Sequence, residues 1–232
     1  MSSQISATAP QEASLARILI INPNASEAVT GAIRSSARGV SLSPGIEVVA
    51  VTNLHGPPGI ETDDHVAAVG PDLERMIEAQ EADAYVIACF SDPGVDRLRA
   101  ATGRPVIGIA EAAYQMGAGL GGRFGVISIV QASISRHRAR LESLGLVARL
   151  AGDRAINVGV TDLGGSEVAA RLLEVARGLT DDGADSVILG CAGLGDYRLA
   201  LQQALRRPVI DPVQVALAQA HTVLSLGLHR PL

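Results

Sequence analysis

The sequence predicts an α/β fold made of two pseudo-symmetric, doubly wound parallel-sheet domains with the active site in the cleft between them. Three observations predict it. Short continuous apolar runs, each closed by a turn rich in Gly, Pro or Asn, alternate with helix-length stretches, as in parallel sheets buried on both faces. The run Ala84-Tyr85-Val86-Ile87-Ala88-Cys89-Phe90-Ser91-Asp92-Pro93-Gly94 returns as Ser186-Val187-Ile188-Leu189-Gly190-Cys191-Ala192-Gly193-Leu194-Gly195-Asp196, and an Ala-Asp pair precedes each copy (Ala82-Asp83 and Ala184-Asp185). After a helical interval each copy is followed by Arg-Pro-Val-Ile, at residues 104–107 and 207–210. The chain therefore reads as a duplicated half-domain, and its only two cysteines, Cys89 and Cys191, occupy equivalent places.

Residues 1–16, rich in Ser, Ala and Gln without periodicity, read as a loose N-terminal extension. The continuous apolar run 17–21 is the first strand; Asn22-Pro23-Asn24-Ala25-Ser26 breaks it, and Asn24 or Ser26 can cap the helix expected over 27–40. Residues 46–51 form the next strand, and 53–62 are too rich in Gly and Pro for an element interior. His55 in that loop reads as a solvated residue more readily than as a catalyst. A helix is expected over 66–79, with Pro71 marking a second start, before the first cysteine strand. Asp92-Pro93-Gly94 turns into a helix through 97–100, followed by a strand over 105–110 and a helix over 111–119. Glycines at 117, 119, 121 and 122 lead into the second half, whose strand 124–129 is the counterpart of the first. The expectations there are a helix over 133–144, strands over 147–150 and 157–160, and a helix over 167–178 before the second cysteine strand. Asp211-Pro212 then opens a final apolar helix over 213–226. The first domain is accordingly placed at 17–115 together with 211–232, the last helix returning to it, and the second at 116–210.

Composition narrows the function. With 47% apolar residues in 232, the chain can bury a sizeable core. The net charge of −5 comes with no basic block, which argues against nucleic acid and anionic membrane as partners. All 19 basic residues are arginine, so no P-loop lysine exists, and no Gly-x-Gly-x-x-Gly opens a helix after the first strand; ATP and NAD chemistry find no support. No apolar run is long enough to cross a bilayer, no signal-peptide pattern is present, and two cysteines are too few for a disulfide scaffold. A cytoplasmic protein acting on a small molecule, with no metal and no cofactor and assembled as a homo-oligomer, is expected.

Free Cys is often a small buried hydrophobe, but each of these two stands where an apolar strand gives way to a turn. In open parallel sheets that is where ligands bind. Two thiols facing one cleft from opposite walls can take a proton from one face of a carbon and deliver one to the other, which is the chemistry of racemisation or epimerisation. The ordinary thiol pKa of about 8.5 lies near neutrality, and a following helix N-terminus would favour the thiolate. Backbone N–H groups in the turns could stabilise a developing enolate oxygen.

At these residues the chain resembles the aspartate/glutamate racemase superfamily, and within it the hydantoin and allantoin racemases. The matching stretches are Ile21-Asn22-Pro23-Asn24-Ala25-Ser26, Gly56-Pro57-Pro58-Gly59-Ile60-Glu61, Ala88-Cys89-Phe90-Ser91-Asp92-Pro93-Gly94, Val106-Ile107-Gly108-Ile109-Ala110-Glu111-Ala112 and Leu189-Gly190-Cys191-Ala192-Gly193-Leu194. Amino-acid racemases of the superfamily carry a Cys followed by Asn and Thr at one site and by Thr and His at the other. Here the neighbours are Phe90-Ser91 and Ala192-Gly193, a departure that points away from a free amino acid and toward a neutral cyclic diamide. The resemblance implies Cys89 and Cys191 as the catalytic pair. It implies Asn24, Ser91, Asp92, Pro93, Gly193 and Leu194 as substrate-binding, with Asn24, Ser91 and the backbone at 193–194 bonded to the ring carbonyls and N–H groups. Arylmalonate decarboxylases and maleate isomerases share the fold and are the alternative activities, with racemisation of a free amino acid and a non-enzymatic ligand-binding role beside them; two matched thiols favour two-base chemistry.

Overall fold

In the computed structural model, which describes residues 16–228, two parallel four-stranded sheets repeat one topology. Strands β1 (Ala16–Asn22), β2 (Ile46–Thr52), β3 (Ala84–Ile87) and β4 (Val106–Gly108) run in the order β2-β1-β3-β4. Strands β5 (Phe124–Ser128), β6 (Leu150–Ala155), β7 (Ser186–Leu189) and β8 (Val209–Ile210) run in the matching order β6-β5-β7-β8. The register is matched too: Ile20 lies between Ala50 and Val86, and Val126 between Asp153 and Ile188. The two-domain parallel fold read from the repeat is the one observed.

The helices are α1 (Glu27–Arg38), α2 (Asp63–Ala68), α3 (Gly70–Ala79), α4 (Val95–Thr102), α5 (Ile109–Gly119), α6 (Ile134–Ser143), α7 (Val168–Asp181), α8 (Arg198–Leu205) and α9 (Pro212–Ser225). Strand alternation divides the first sheet between two cores. Leu19, Ile21, Tyr85 and Ile87 pack with Leu73, Ile77 and Leu98 from α3 and α4, whereas Ile18, Ile20, Ala84 and Val86 join a cluster that runs without a break into the second lobe. Each such Ile or Leu contributes about 2 kcal/mol relative to exposure, so the shared cluster welds the lobes at their base. Helix α5 lies at the weld, against β4, β7, β8 and α9; α9 packs against α1, α5, β1, β3 and β4.

The structure corrects several boundaries. The helix expected over 66–79 is two helices, α2 and α3, divided at Val69 with Pro71 in the first turn of α3, where its missing N–H costs nothing. The strand expected over 105–110 ends at Gly108, because the Asp92 carboxylate accepts from the N–H groups of Ala110 (2.9 Å) and Glu111 (2.8 Å) and starts α5 there. Residues Val147–Arg149 form a 3-10 turn in place of a strand, and β6 follows it; β6 is a half-buried edge strand whose sequence, with Gly152, Asp153 and Arg154, has no apolar run to betray it. No strand forms at 157–160, where Asn157 takes a left-handed conformation and Val160–Asp162 is a 3-10 turn. Ala16, assigned to the extension, already pairs with Ile46 in β1; the rest of that extension and residues 229–232 lie outside the described residues.

Candidate active site

Both cysteines stand one residue past the final ladder bond of an equivalent strand. The N–H of Ala88 donates to the Ile21 carbonyl at 2.8 Å and that of Gly190 to the Ile127 carbonyl at 2.8 Å; Cys89 and Cys191 come next. A Cβ at Gly190 would overlap the Ile127 carbonyl, so glycine lets the chain approach β5 closely here. The two thiols line one small cavity of about 30 Å³ between the carboxyl ends of the sheets, together with Asn24, Val29, Ile60, Phe90, Ser91, His137 and Val160. A five-membered ring is larger than this, so one entering between the thiols has to displace the walls. Larger hollows of about 370 and 440 Å³ lie on outer faces, by Tyr85 and Arg104 and by Arg34 and Val48, far from either thiol.

The turns after the thiols differ. Behind Cys89 the chain folds back through Asp92, whose N–H donates to the Cys89 carbonyl at 2.9 Å and whose φ of 45° is one that Asp tolerates better than most residues. Behind Cys191 a 3-10 turn, Ala192–Tyr197, aims the Gly193 N–H at the Cys191 sulfur at 3.5 Å. Burial dominates the acidity of both. It pushes the Cys89 thiol up to about 12, against the pull of the Ser91 N–H, with the Cys191 and Asp92 charges adding to the rise. It pushes Cys191 up to about 11 against the pull of Gly193, with Glu61 adding to it. The thiolate-favouring influence expected of the following turns is present and is outweighed.

Of the binding candidates, Asn24 and Ser91 line the cavity. Asn24 is fixed by its own oxygen, which accepts from Asn22 Nδ2 (3.0 Å) and from the Ser26 N–H (2.9 Å), so its Nδ2 is left for a guest. Ser26 caps α1 by accepting from the Val29 N–H at 3.3 Å. Gly193 meets the site through its bond to Cys191 and borders a neighbouring hollow. Asp92, Pro93 and Leu194 are not brought to the cavity. Asp92 is buried under the α5 N-terminus, where a Cβ at Gly108 would overlap its carboxyl; Pro93 is buried in the turn; Leu194 is a core side chain whose N–H donates to the Cys191 carbonyl at 3.3 Å. Burial raises the Asp92 carboxyl to about 6 despite its two N–H donors and Arg140. His55 is exposed and outside the lining.

Three groups at the site escaped the sequence reading. The buried His137 ring is held by Nδ1, 2.9 Å from Asp153 Oδ2 and 3.0 Å from Ser128 Oγ, and stands edge-on to Phe90 at 5.0 Å, which leaves Nε2 to meet a ligand. Glu61 Oε1 accepts from the Val160 N–H at 2.8 Å across the lobes. Arg136 of α6 crosses the other way, donating to the Glu61 carbonyl (3.0 Å) and to Asp63 (2.8 Å), with Ser91 Oγ at 3.5 Å. Glu61 sits in a matched stretch and could have been suspected from it; His137 and Arg136 lie in an ordinary amphipathic helix that offers no such signal. Among the described residues, no three His, Cys, Asp or Glu side chains converge as a metal site, and no helix is long and apolar enough to cross a membrane.

A duplicated, two-lobed α/β protein with one thiol on each wall of a shared cavity defines a class of cleft enzymes with paired cysteines. Residues 18–220 match the family model described as Asp/Glu/Hydantoin racemase. The hydantoin racemase of Paenarthrobacter aurescens is 37% identical over 218 residues, covering 91% of this chain and 92% of that one. The allantoin racemase from Klebsiella pneumoniae superposes with a TM-score of 0.88 at 35% identity, covering 93% of this chain and 90% of that one. A crystal structure of arylmalonate decarboxylase, 22% identical with a TM-score of 0.64 over 93% of this chain and 96% of that one, shares the fold. The chain belongs to the Asp/Glu/hydantoin racemase family and is an isomerase of the racemase type.

Proposed function

We propose that the protein racemises a five-membered cyclic diamide, a 5-substituted hydantoin or allantoin, with Cys89 and Cys191 as its acid/base pair and no cofactor. The observation that carries this is the placement of both thiols on one cavity from equivalent strand ends. A thiolate at Cys191 raises Cys89 further, so the pair carries no more than one negative charge at a time. Cys191, which accepts from the Gly193 N–H, is assigned as the base toward one enantiomer and Cys89 as the acid. The Cys191 thiolate takes the ring C5 proton, the C–H electrons pass into the ring enolate, and the Cys89 thiol protonates the opposite face. That leaves a Cys89 thiolate and a Cys191 thiol, the pair required for the reverse direction.

Asn24 Nδ2, the Ser91 hydroxyl and the His137 ring are polar groups of the wall, and they are assigned to the ring carbonyls and N–H groups; kinetics of Asn24→Ala and Ser91→Ala equal to the parent remove those two. Residues 17–115 with 211–232 form the first lobe and 116–210 the second in this reading, and the enzyme works as a cytoplasmic homo-oligomer. The test is decay of optical rotation with L- and D-5-substituted hydantoins and with allantoin in D₂O. Racemisation with deuterium entering at C5 is expected. Release of CO₂ from an arylmalonate, or inversion of a free amino acid with no action on any hydantoin, overturns the proposal.

A further inference from the structure

Besides the two thiols, His137 is the only titratable side chain among the described residues that lines the thiol cavity. It comes from α6 of the second lobe and is buried, with Phe90 edge-on to its ring at 5.0 Å. Its Nδ1 has two partners, Asp153 Oδ2 on β6 at 2.9 Å and Ser128 Oγ on β5 at 3.0 Å. The single Ser128 hydroxyl proton is already committed, since Ser128 Oγ donates to Asp153 Oδ1. Both partners of Nδ1 therefore offer it lone pairs only, and the proton of a singly protonated ring has to sit on Nδ1. Nε2 has no protein partner among the described residues and is not sealed from the cavity, so it faces a guest with a lone pair.

Resting on the racemase reading above, we infer that Asp153 and Ser128 lock His137 as the Nδ1–H tautomer, so that Nε2 accepts one N–H of the substrate ring. His137 is then a specificity residue and Asp153 the positioning residue behind it. The opposite wall carries the complementary group. Asn24 Oδ1 is taken by Asn22 Nδ2 and the Ser26 N–H, so Asn24 presents a donor from the first lobe. A donor from one lobe and an acceptor from the other match a ring amide, whose C=O and N–H lie side by side on one edge. The ring N–H is common to both enantiomers and lies in the ring plane, so one acceptor serves both. A dicarboxylate would bring lone pairs against the lone pair of Nε2 and leave that nitrogen without a donor, and a methyl group on the ring nitrogen would do the same.

Two measurements test this. In ¹⁵N NMR at about pH 8, above the ordinary imidazole value of about 6.5, the parent should show His137 protonated at Nδ1 and bare at Nε2, its signals identified by their absence from His137→Gln. Asp153→Asn should show the reverse, because the amide oxygen takes the Ser128 hydroxyl and the amide N–H has to donate to Nδ1. Ser128→Ala keeps the Asp153 carboxylate and should keep the parent tautomer. Racemisation kcat/KM is then compared for a 5-substituted hydantoin and its N1-methyl and N3-methyl derivatives. The parent should reject at least one methyl derivative by about 10²-fold or more. Asp153→Asn should lose about 10²-fold on the unmethylated compound and discriminate by no more than about tenfold, the part owed to methyl bulk, while Ser128→Ala discriminates within about threefold of the parent. A parent ring protonated at Nε2, no rejection of either methyl derivative, or equal discrimination by parent and Asp153→Asn overturns the inference and leaves the racemase reading standing. The two parent outcomes decide the matter even where Asp153→Asn does not fold. Failure of the parent to racemise any hydantoin or allantoin overturns that reading and this inference with it.

Discussion

The two cysteine turns descend from one repeated sequence, yet they hold their thiols by different means. In the first half, α5 has no cap of its own: Gly108 precedes it, and its leading N–H groups are taken by Asp92 from the turn behind Cys89. In the second half, the equivalent helix α9 is capped by Asp211, adjacent to it in sequence, at 2.8 Å from the Val213 N–H. Freed from capping, the Cys191 turn tightens into a 3-10 helix that points the Gly193 N–H at its sulfur. Duplication thus sets where the thiols stand, and the divergent turns set how each is held.

The comparison breaks most plainly at the thiols themselves. Cys89→Ser and Cys191→Ser should each lower racemisation by about 10³-fold or more, because a hydroxyl is far too weak an acid to replace the thiolate. Each variant should still exchange deuterium into the one enantiomer that faces its intact thiol, with retention. Near-parental racemisation by either variant would falsify the two-base assignment.

Raised thiol pKa values predict that kcat/KM climbs with pH, by about tenfold per unit between pH 7 and 9, as the thiolate fraction grows. A profile flat over that range would show that the bound substrate cancels the burial cost. The same burial stabilises the neutral thiols in the fold. That stability is complete below the ordinary thiol value and is lost as pH rises toward about 11 and 12.

Asp92→Asn sharpens the contrast between the turns. The Asp92 carboxyl is raised from 3.8 to about 6, so its contribution to stability is present at low pH and fades as pH rises from about 4 through 6. Equilibrium unfolding of parent and variant should show their difference drifting by up to about 3 kcal/mol across that window, the parent losing ground. Loss of the negative charge should also bring Cys89 closer to Cys191, seen as a pH-rate profile shifted to lower pH. A pH-independent stability difference would place the Asp92 carboxyl at its ordinary acidity. The smallest effect belongs to Glu61→Gln, which keeps an acceptor for the Val160 N–H while removing the charge that raises Cys191. Iodoacetamide should label Cys191 a few-fold faster in this variant, with Cys89 unchanged.

Strands such as β1, β3 and β7 were legible because they are buried on both faces and leave unbroken apolar runs, and the repeat made their pairing order legible too. Strand β6 was not, since a half-buried edge carries polar residues at most positions. The thiols stood out as the only cysteines in a duplicated frame. The role of Asp92 was hidden because its partners, Ala110 and Glu111, are backbone groups that sequence spacing cannot point out. Arg136 and His137 were hidden because a helix displays its site-facing residues among solvent-facing ones of the same type, as Arg138 shows beside them.

Helix α9 follows both sheets in the chain yet lies against β1, β3 and β4, with Val213, Ala216, Leu217 and Ala220 fully buried there. A ribosome adding residues in order would finish the second lobe before this cover for the first existed, so the nascent first sheet carries an open apolar face through most of synthesis. The interval is one in which a chaperone has something to hold, and in which a stop codon placed before Pro212 would yield a chain that aggregates while its thiol-bearing strands are already made.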